Sequence, residues 1–207
     1  DLETSGLNTI SYLDSQDNTM LFPFFEGVPL HKFVGMEESI EQFEVIENAV
    51  MHLTKAHDEG ITFGDRWCTN TFVLPTGEIA EVDFDLELQG EPTRVATFEL
   101  AQTIYHLIHF ADQNRRQVTD KLVSFYQQNK ELLANYDTEL LSTFLFGQTR
   151  FFVENYETKN ELYEGFVPPK EEISQFIQGI KPMNDESIPS IVVFDRQPNL
   201  QVMTSFS

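Results

Sequence analysis

Hydrophobic residues recur at helical spacing over residues 37–59, where five of them share one face: Ile40, Phe43, Ile46, Val50 and Leu53. Acidic residues open this segment and Lys55 lies near its end, as the helix dipole favours. Gly60 follows the last turn and can end a helix in a left-handed conformation. The pattern therefore predicts an amphipathic helix over residues 37–59 that ends at Gly60.

Residues 94–110 are apolar on nearly all sides, which is typical of a buried helix: Phe98, Leu100, Ala101, Ile104, Leu107 and Ile108. We expect this helix to be the most buried of the chain, with four side chains inside: Phe98, Ala101, Ile104 and Ile108. Three further helices are predicted after it, at residues 113–129, 138–156 and 169–179. Asp137 is a suitable N-cap for the second of these, and Pro169 suits the first turn of the third.

Short strands are predicted before the first long helix. Residues 9–13 and 18–25 have the composition of strands, and residues 14–17 between them are rich in turn formers. A short helical segment is predicted directly after Pro29.

A second hairpin is predicted between the two long helices. Residues 71–74 and 79–82 are its strands, and Gly77 can supply the positive φ that the turn requires. The segment VDFDLEL follows the hairpin at residues 82–88, and the chain is then expected to be irregular up to Thr93. The tail at residues 182–207 is also expected to be irregular, because three prolines interrupt it. The predicted fold class is therefore α+β and mostly helical.

The charge of the chain excludes some classes of partner. Lys and Arg total 13 against 34 Asp and Glu, so the formal net charge is −21. A surface this acidic repels the phosphates of nucleic acids and anionic lipids, so we expect no nucleic-acid partner. In one interpretation the acidic surface keeps the protein soluble or adapts it to high salt. In the other, it binds a basic protein partner.

The remaining composition bears on the cellular compartment. Cys68 is the single cysteine, which excludes an internal disulfide and fits a reducing compartment. No apolar run approaches the roughly 18 residues that a membrane-spanning helix needs, and no signal peptide is visible. We therefore expect a cytoplasmic protein with no membrane span. The chain opens without a Met, so residue 1 need not be the natural N-terminus.

Three residues in the middle of the chain carry the candidate chemistry. Asp65 and Asn70 lie in a polar loop between the long helix and the hairpin, and Asp83 follows the second hairpin strand. Because a hairpin folds residues 71–82 back on themselves, we expect Asp83 to return near Asn70. Two carboxylates and an amide supply the hard oxygen ligands that suit Mg²⁺ together with substrate phosphates. The pattern therefore predicts that Asp65, Asn70 and Asp83 converge on one point that suits Mg²⁺.

These motifs resemble those of a known superfamily. GDRWCTN is similar to the catalytic loop of protein-kinase-like enzymes, and VDFD is similar to the metal-binding segment that most protein kinases write as Asp-Phe-Gly. The Gly64-Asp65 pair resembles the His-Gly-Asp form of atypical kinases, which include the Bud32-like and lipopolysaccharide kinases. The resemblance covers about residues 18–110.

The resemblance implies a role for each of the three residues. Asp65 would be catalytic and accept the proton of the attacking hydroxyl. Asn70 would brace the catalytic loop and bind metal, and Asp83 would bind the Mg²⁺ that bridges the phosphates of ATP. It also implies a domain organisation, with an N-lobe remnant and hinge at residues 1–29, a kinase-like C-lobe at 30–181 and the tail at 182–207.

The chain departs from the family pattern in ways that leave alternatives open. Phe63 replaces the usual His of the catalytic loop and Asp85 replaces the usual Gly after Asp-Phe. These 207 residues contain neither a Gly-rich loop nor a Val-Ala-x-Lys strand, so a missing N-lobe segment or a protein partner is expected to complete the nucleotide site. An ATP- and Mg²⁺-dependent phosphotransferase is the first interpretation. A pseudokinase that acts as a scaffold is the second, and an unrelated acidic helical interaction domain is the third.

Several residues near these motifs have a structural explanation as well as a functional one. His57 resembles a structural kinase histidine, so a core or capping role is expected. His106 and His109 have a spacing that zinc sites use, but no further ligand set completes such a site, and core packing is the favoured interpretation. Cys68 is expected to be a plain buried thiol. The phenylalanines of residues 144–152 are expected to pack in the core, or else to form an interface.

Overall fold

The computed structural model describes residues 14–16, 19–21, 26–35, 40–64, 66–82, 86–157, 167–181 and 201–204. In these residues the fold is mixed α+β and mostly helical, which confirms the predicted fold class at that level. The described α-helices are α1 (Leu30–Val34), α2 (Ile40–Asp58), α3 (Pro92–Phe110), α4 (Arg115–Gln128), α5 (Thr138–Glu157) and α6 (Lys170–Ile180). The described strands are short: β1 (Asp14–Gln16), β2 (Thr19–Leu21), β3 (Val28–Pro29), β4 (Thr71–Val73), β5 (Ile79–Glu81), β6 (Leu86–Gln89) and β7 (Gln201–Thr204).

Helix α3 is the centre of the fold and packs against α1, α2, α4, α5 and α6. It begins at Pro92, two residues before the predicted start, because the Glu91 carboxylate accepts hydrogen bonds from the amides of Thr93 and Arg94 at 3.2 and 3.0 Å. Fourteen of its residues are buried, and Ala101, Ile104 and Ile108 are among those fully enclosed. The predicted burial is therefore confirmed for these three.

Phe98 is the only one of the four side chains predicted to be buried in α3 that is not fully buried. It is half-buried and packs edge-to-face on Phe144 of α5, with ring centroids 5.2 Å apart. Phe144 is buried and Phe146 is partly buried against the core, as expected for this aromatic run, but Phe151 is 49% exposed, so the expected core packing does not extend to it.

Helix α2 confirms the first predicted helix within the described residues, which begin again at Ile40. It ends in a Schellman motif, in which the Ile61 amide donates to the Ala56 carbonyl at 2.8 Å and the Gly60 amide donates to the His57 carbonyl at 2.9 Å. Gly60 has a φ of 75°, the left-handed conformation that the predicted helix end requires.

Strands β3, β4 and β5 form an antiparallel sheet in that order. The predicted hairpin is confirmed, with Thr71 opposite Glu81 and Val73 opposite Ile79. Gly77 has a φ of 81° in the connecting turn, as predicted. The sheet lies against the core through the buried side chains of Val73 and Ile79.

The N-terminal hairpin differs from the prediction. Residues 14–16, predicted as a turn, form strand β1 and pair with β2, with Gln16 opposite Thr19. The prediction was wrong because turn-forming composition is a weak guide when cross-strand pairing can override it. Two residues separate Gln16 from Thr19, a length that hairpins favour. Residues 9–13 and 22–25 lie outside the described residues.

The described part of the tail, which was predicted to be irregular, forms strand β7. Residues Leu86–Gln89 form β6, and they pair antiparallel with Gln201–Thr204 in the tail. The prediction was wrong there because a partner more than 100 residues away leaves no local signal. The remainder of residues 182–207 lies outside the described residues, and the domain division at residues 29 and 181 stays a prediction.

Helices α4, α5 and α6 agree with their predicted positions to within about two residues. A short 3₁₀ turn at Asp112–Asn114 precedes α4 because Asp112 adopts a φ of 45°, so α4 starts later than predicted. Asp137 caps α5 as predicted, since its carboxylate accepts from the Leu140 amide at 2.9 Å. Pro169 is the N-cap residue of α6 rather than part of its first turn. Among the described helices, none combines the length and apolar character that crossing a bilayer requires.

Candidate functional site

The candidate site lies where the loop segment, residues 63–70, meets the start and end of the β4–β5 hairpin. Asp65 and residues 83–85 lie outside the described residues, while Asn70, the neighbours of Asp65 on both sides, and Val82 before Asp83 are described. The Val82 amide donates to the Asn70 carbonyl at 2.9 Å, which closes the base of the hairpin. The hairpin therefore returns the chain to Asn70, as its spacing predicted.

Glu99 on α3 anchors the first part of the loop segment. Its carboxylate accepts from the Gly64 amide at 2.7 Å and from the Phe63 amide at 3.1 Å. The side chain is fully buried, and it also lies 2.9 Å from Nε2 of His57. A carboxylate that accepts two adjacent backbone amides restricts the rotation of that peptide segment. The backbone immediately before Asp65 is thus tied to the central helix.

His57 links this anchor to the C-terminal half of the fold. Its Nδ1 lies 2.8 Å from the Tyr136 hydroxyl, which donates to the Thr54 hydroxyl at 3.4 Å. Burial raises the pKa of Tyr136 to about 12, so the phenol stays protonated. These buried contacts confirm the core role that was expected for His57.

Arg66 anchors the second part of the loop segment from inside the protein. It is 3% exposed, and its Nη2 forms an ion pair with the Glu81 carboxylate and donates to the Thr71 hydroxyl at 2.7 Å. The Thr71 hydroxyl donates to the same Glu81 oxygen at 3.1 Å. Burial raises the pKa of the Glu81 carboxyl, and the Arg66 guanidinium acts against that change.

The backbone of Arg66 is bonded to α3 as well. Its amide donates to Oε1 of Gln102 at 3.3 Å, and Nδ1 of His106 lies 3.2 Å from its carbonyl oxygen. Burial lowers the pKa of His106 to about 4, so the ring is neutral at pH 7 and can donate to that carbonyl. Together with Glu99, these bonds hold the backbone on both sides of residue 65.

Phe63 occupies the position where the family pattern has His. It is 2% exposed and lies under the Arg66 guanidinium, whose central carbon is 4.7 Å from the ring centroid. His52 also stacks on Phe63, with ring centroids 5.9 Å apart, and burial with the nearby Arg66 charge lowers the pKa of His52 to about 4. Phe63 is therefore a packing residue of the loop, with contacts to the core and to the Arg66 guanidinium.

Of the remaining loop residues, the first two pack toward the core and the last is more accessible to solvent. Trp67 stacks on His106 at 4.7 Å, and Cys68 is buried, which raises the pKa of its thiol well above the usual range. Asn70 is half-buried, and its Oδ1 accepts from the Thr69 hydroxyl at 3.3 Å. The structure thus directs Trp67 and Cys68 inward and leaves the Asn70 amide accessible.

The histidines on α3 are core residues by their contacts. His109 stacks on Tyr105 at 5.9 Å, and burial lowers its pKa to about 3. In the part of the chain that the structure describes, no three His, Cys, Asp or Glu residues are grouped as metal ligands. Asp65 and Asp83 lie outside that part.

The anchoring residues Arg66, Glu81, Glu99 and Gln102 were missed by the sequence reasoning. The sequence signal that could have identified such residues is a charged or polar residue inside an otherwise apolar segment. Examples are the run FELAQ in α3, which contains Glu99 and Gln102, and the run EIAEV around β5, which contains Glu81. Such residues are buried only when paired, so each one predicts a partner.

Comparison of this chain with protein-family models, with curated proteins and with solved structures found no match.

Proposed function

We propose that this chain is the mostly helical lobe of a protein-kinase-like phosphotransferase that uses ATP and Mg²⁺. The observation that carries the proposal is the bond from the Val82 amide to the Asn70 carbonyl, which brings the two ends of the motif together. The anchoring of Phe63 and Gly64 by Glu99 adds support, because a catalytic loop must hold its acidic residue in one position.

The donor set at the site fits magnesium. Asn70 and Asp83 offer an amide and a carboxylate oxygen, and Mg²⁺ takes a few such oxygens together with phosphates. The half-buried position of Asn70 leaves its amide within reach of a bound nucleotide. Magnesium, when bound, would neutralise the charge that develops on the phosphates.

The proposed reaction transfers the γ-phosphoryl group to a hydroxyl. The hydroxyl oxygen bonds to the γ-phosphorus, the bond from phosphorus to the bridging oxygen breaks, and ADP leaves. Asp65 takes the hydroxyl proton, and Asn70 and Asp83 hold the phosphate end of ATP in line with the acceptor. The acceptor is a protein side chain or a small molecule, and a reducing cytoplasm suits the single buried Cys68.

A scaffold without turnover is the second candidate, and Phe63 favours it. The ring fills the position of the usual His and packs under Arg66, so the loop keeps its shape without that polar group. Turnover of radiolabelled ATP distinguishes the two candidates, with Asp65→Ala as the control for contaminating kinases. Because these residues contain no Gly-rich loop and no Val-Ala-x-Lys strand, turnover requires the N-lobe elements to be supplied as well.

Calorimetric titration with ATP tests the proposal at the level of binding. Asp83→Asn is expected to weaken Mg²⁺-dependent binding at least tenfold, because it removes the charged metal ligand. Glu78→Gln is the matched control, since it makes the same charge change at the exposed turn of the same hairpin. Equal affinity of the wild type and Asp83→Asn would contradict the proposed function.

A further inference from the structure

We infer that Arg66, Thr71 and Glu81 form a clamp that sets the spacing between the three residues of the proposed site, and that they are positioning residues for its metal-dependent chemistry. The inference rests on the proposed function. Each member of the clamp is a close neighbour of one site residue in the chain. Arg66 follows Asp65, Thr71 follows Asn70, and Glu81 lies two residues before Asp83.

The contacts of the clamp close a triangle. Nη2 of Arg66 is bonded to both the Glu81 carboxylate and the Thr71 hydroxyl, and that hydroxyl is bonded to the same carboxylate oxygen. Thr71 and Glu81 are also opposite each other in the hairpin register. A change in the distance between any two members would break at least one of these bonds. The clamp therefore transmits the geometry of the hairpin to the loop that carries Asp65.

The clamp is attached to the rigid centre of the fold. The Arg66 backbone is bonded to Gln102 and His106 on α3, and its guanidinium lies over the Phe63 ring. All three clamp members are at most 5% exposed. Loop, hairpin and central helix thus meet at one buried arginine.

Stability alone does not account for a buried ion pair at this place. Burying two charges costs more than their attraction returns unless the geometry is excellent, and apolar pairs of similar volume are often as stable. Nε and Nη1 of Arg66 are buried and have no hydrogen-bond partner among the described residues, which adds to that cost. What the ion pair provides, and an apolar pair does not, is a directional bond of defined length.

The test separates folding from positioning by replacing the pair with apolar residues. The double variant Arg66→Met/Glu81→Leu is expected to resist urea as well as the wild type does. Its Mg²⁺-dependent affinity for ATP is expected to fall at least tenfold, while its affinity for ATP in EDTA is unchanged. The control is Lys121→Gln/Glu47→Gln, which removes an exposed ion pair of 2.9 Å and should change neither affinity.

Two outcomes would overturn the clamp alone. A third would overturn the proposed function and the clamp together. If the double variant binds Mg²⁺ and ATP as the wild type does while Asp83→Asn does not, the clamp is wrong and the proposed function stands. If the double variant loses affinity equally with and without Mg²⁺, its role is structural only, and the clamp is again wrong. If Asp83→Asn also binds as the wild type does, the proposed function fails.

A second variant covers the case in which the double variant does not fold. Thr71→Val keeps the shape of the side chain and removes the hydroxyl that bridges Arg66 and Glu81. Its Mg²⁺-dependent affinity for ATP is expected to fall at least threefold, with the affinity in EDTA unchanged. An unchanged Mg²⁺-dependent affinity in this variant would overturn the clamp.

Discussion

The carboxylate of Glu99 holds the loop before Asp65 on the central helix. Glu99→Gln keeps the shape of the side chain and replaces one acceptor oxygen by an NH₂ donor. In the structure one oxygen accepts from Gly64, and the other accepts from Phe63 and lies beside His57. Whichever way the glutamine amide turns, one backbone N–H faces another donor.

The size of the effect follows from this count of bonds. His57 can adapt, because its Nε2 can accept from the new NH₂ group while its Nδ1 donates to Tyr136. The stranded backbone amide cannot adapt, and a buried donor without a partner costs about 1–3 kcal/mol. Loss of the negative charge weakens the surviving bonds by up to about 1 kcal/mol more. We therefore expect Glu99→Gln to lower the free energy of unfolding by about 1–4 kcal/mol.

Urea denaturation followed by Trp67 fluorescence is a suitable assay, since this single tryptophan stacks on His106 beside the loop. Glu131→Gln is the matched control, because Glu131 is exposed in a short 3₁₀ turn. It should change stability by less than about 0.5 kcal/mol. If Glu99→Gln is as mild as this control, then the carboxylate does not hold the loop and the described anchoring is wrong.

Three further predictions concern the core, a helix end and pH. Ile104→Ala should cost on the order of 2–5 kcal/mol in denaturant unfolding because Ile104 is fully buried, whereas Ile104→Val should cost about 1 kcal/mol. Gly60→Ala should destabilise by about 1 kcal/mol because of its positive φ, whereas Gly147→Ala in the open interior of α5 should be neutral or stabilising. Burial lowers the pKa of His106 from 6.5 to about 4, so the unfolded chain binds this proton more tightly and stability should fall, by up to about 3 kcal/mol, as the pH drops from 6.5 to 4. His106→Gln should lower the slope of that part of the stability profile, to which His52 and His109 also contribute because burial lowers their pKa to about 4 and about 3.

The parts of the fold that could be predicted from the sequence are those with local signals. Helix α2 has a regular hydrophobic period and ends at a glycine, and both features act within a few residues. The hairpin has a turn glycine between two apolar runs, so the approach of Asn70 to Val82 followed from it. The start of α3 at Pro92 also had a local signal, an acidic cap before a proline, which the predicted boundary at residue 94 overlooked.

The parts that could not be predicted depend on contacts between distant residues. Arg66 and Glu81 are 15 residues apart, and Glu99 is 35 residues from Gly64, so composition alone does not pair them. Strand β6 has its partner in the tail, and β1 forms in a segment whose composition favours turns. In each case tertiary pairing decided the outcome over local preference.

Nuclear magnetic resonance with Mn²⁺ in place of Mg²⁺ tests the central claim most directly. Bound Mn²⁺ broadens the signals of nearby amides, and the wild-type chain is titrated with it in the presence of ATP. The account predicts ATP-dependent broadening centred on the amides of Gly64, Asn70 and Val82, lost in Asp83→Asn and absent from α6. Broadening that is spread evenly over the acidic surface, or that persists in Asp83→Asn, would contradict a metal and nucleotide site at the loop and hairpin.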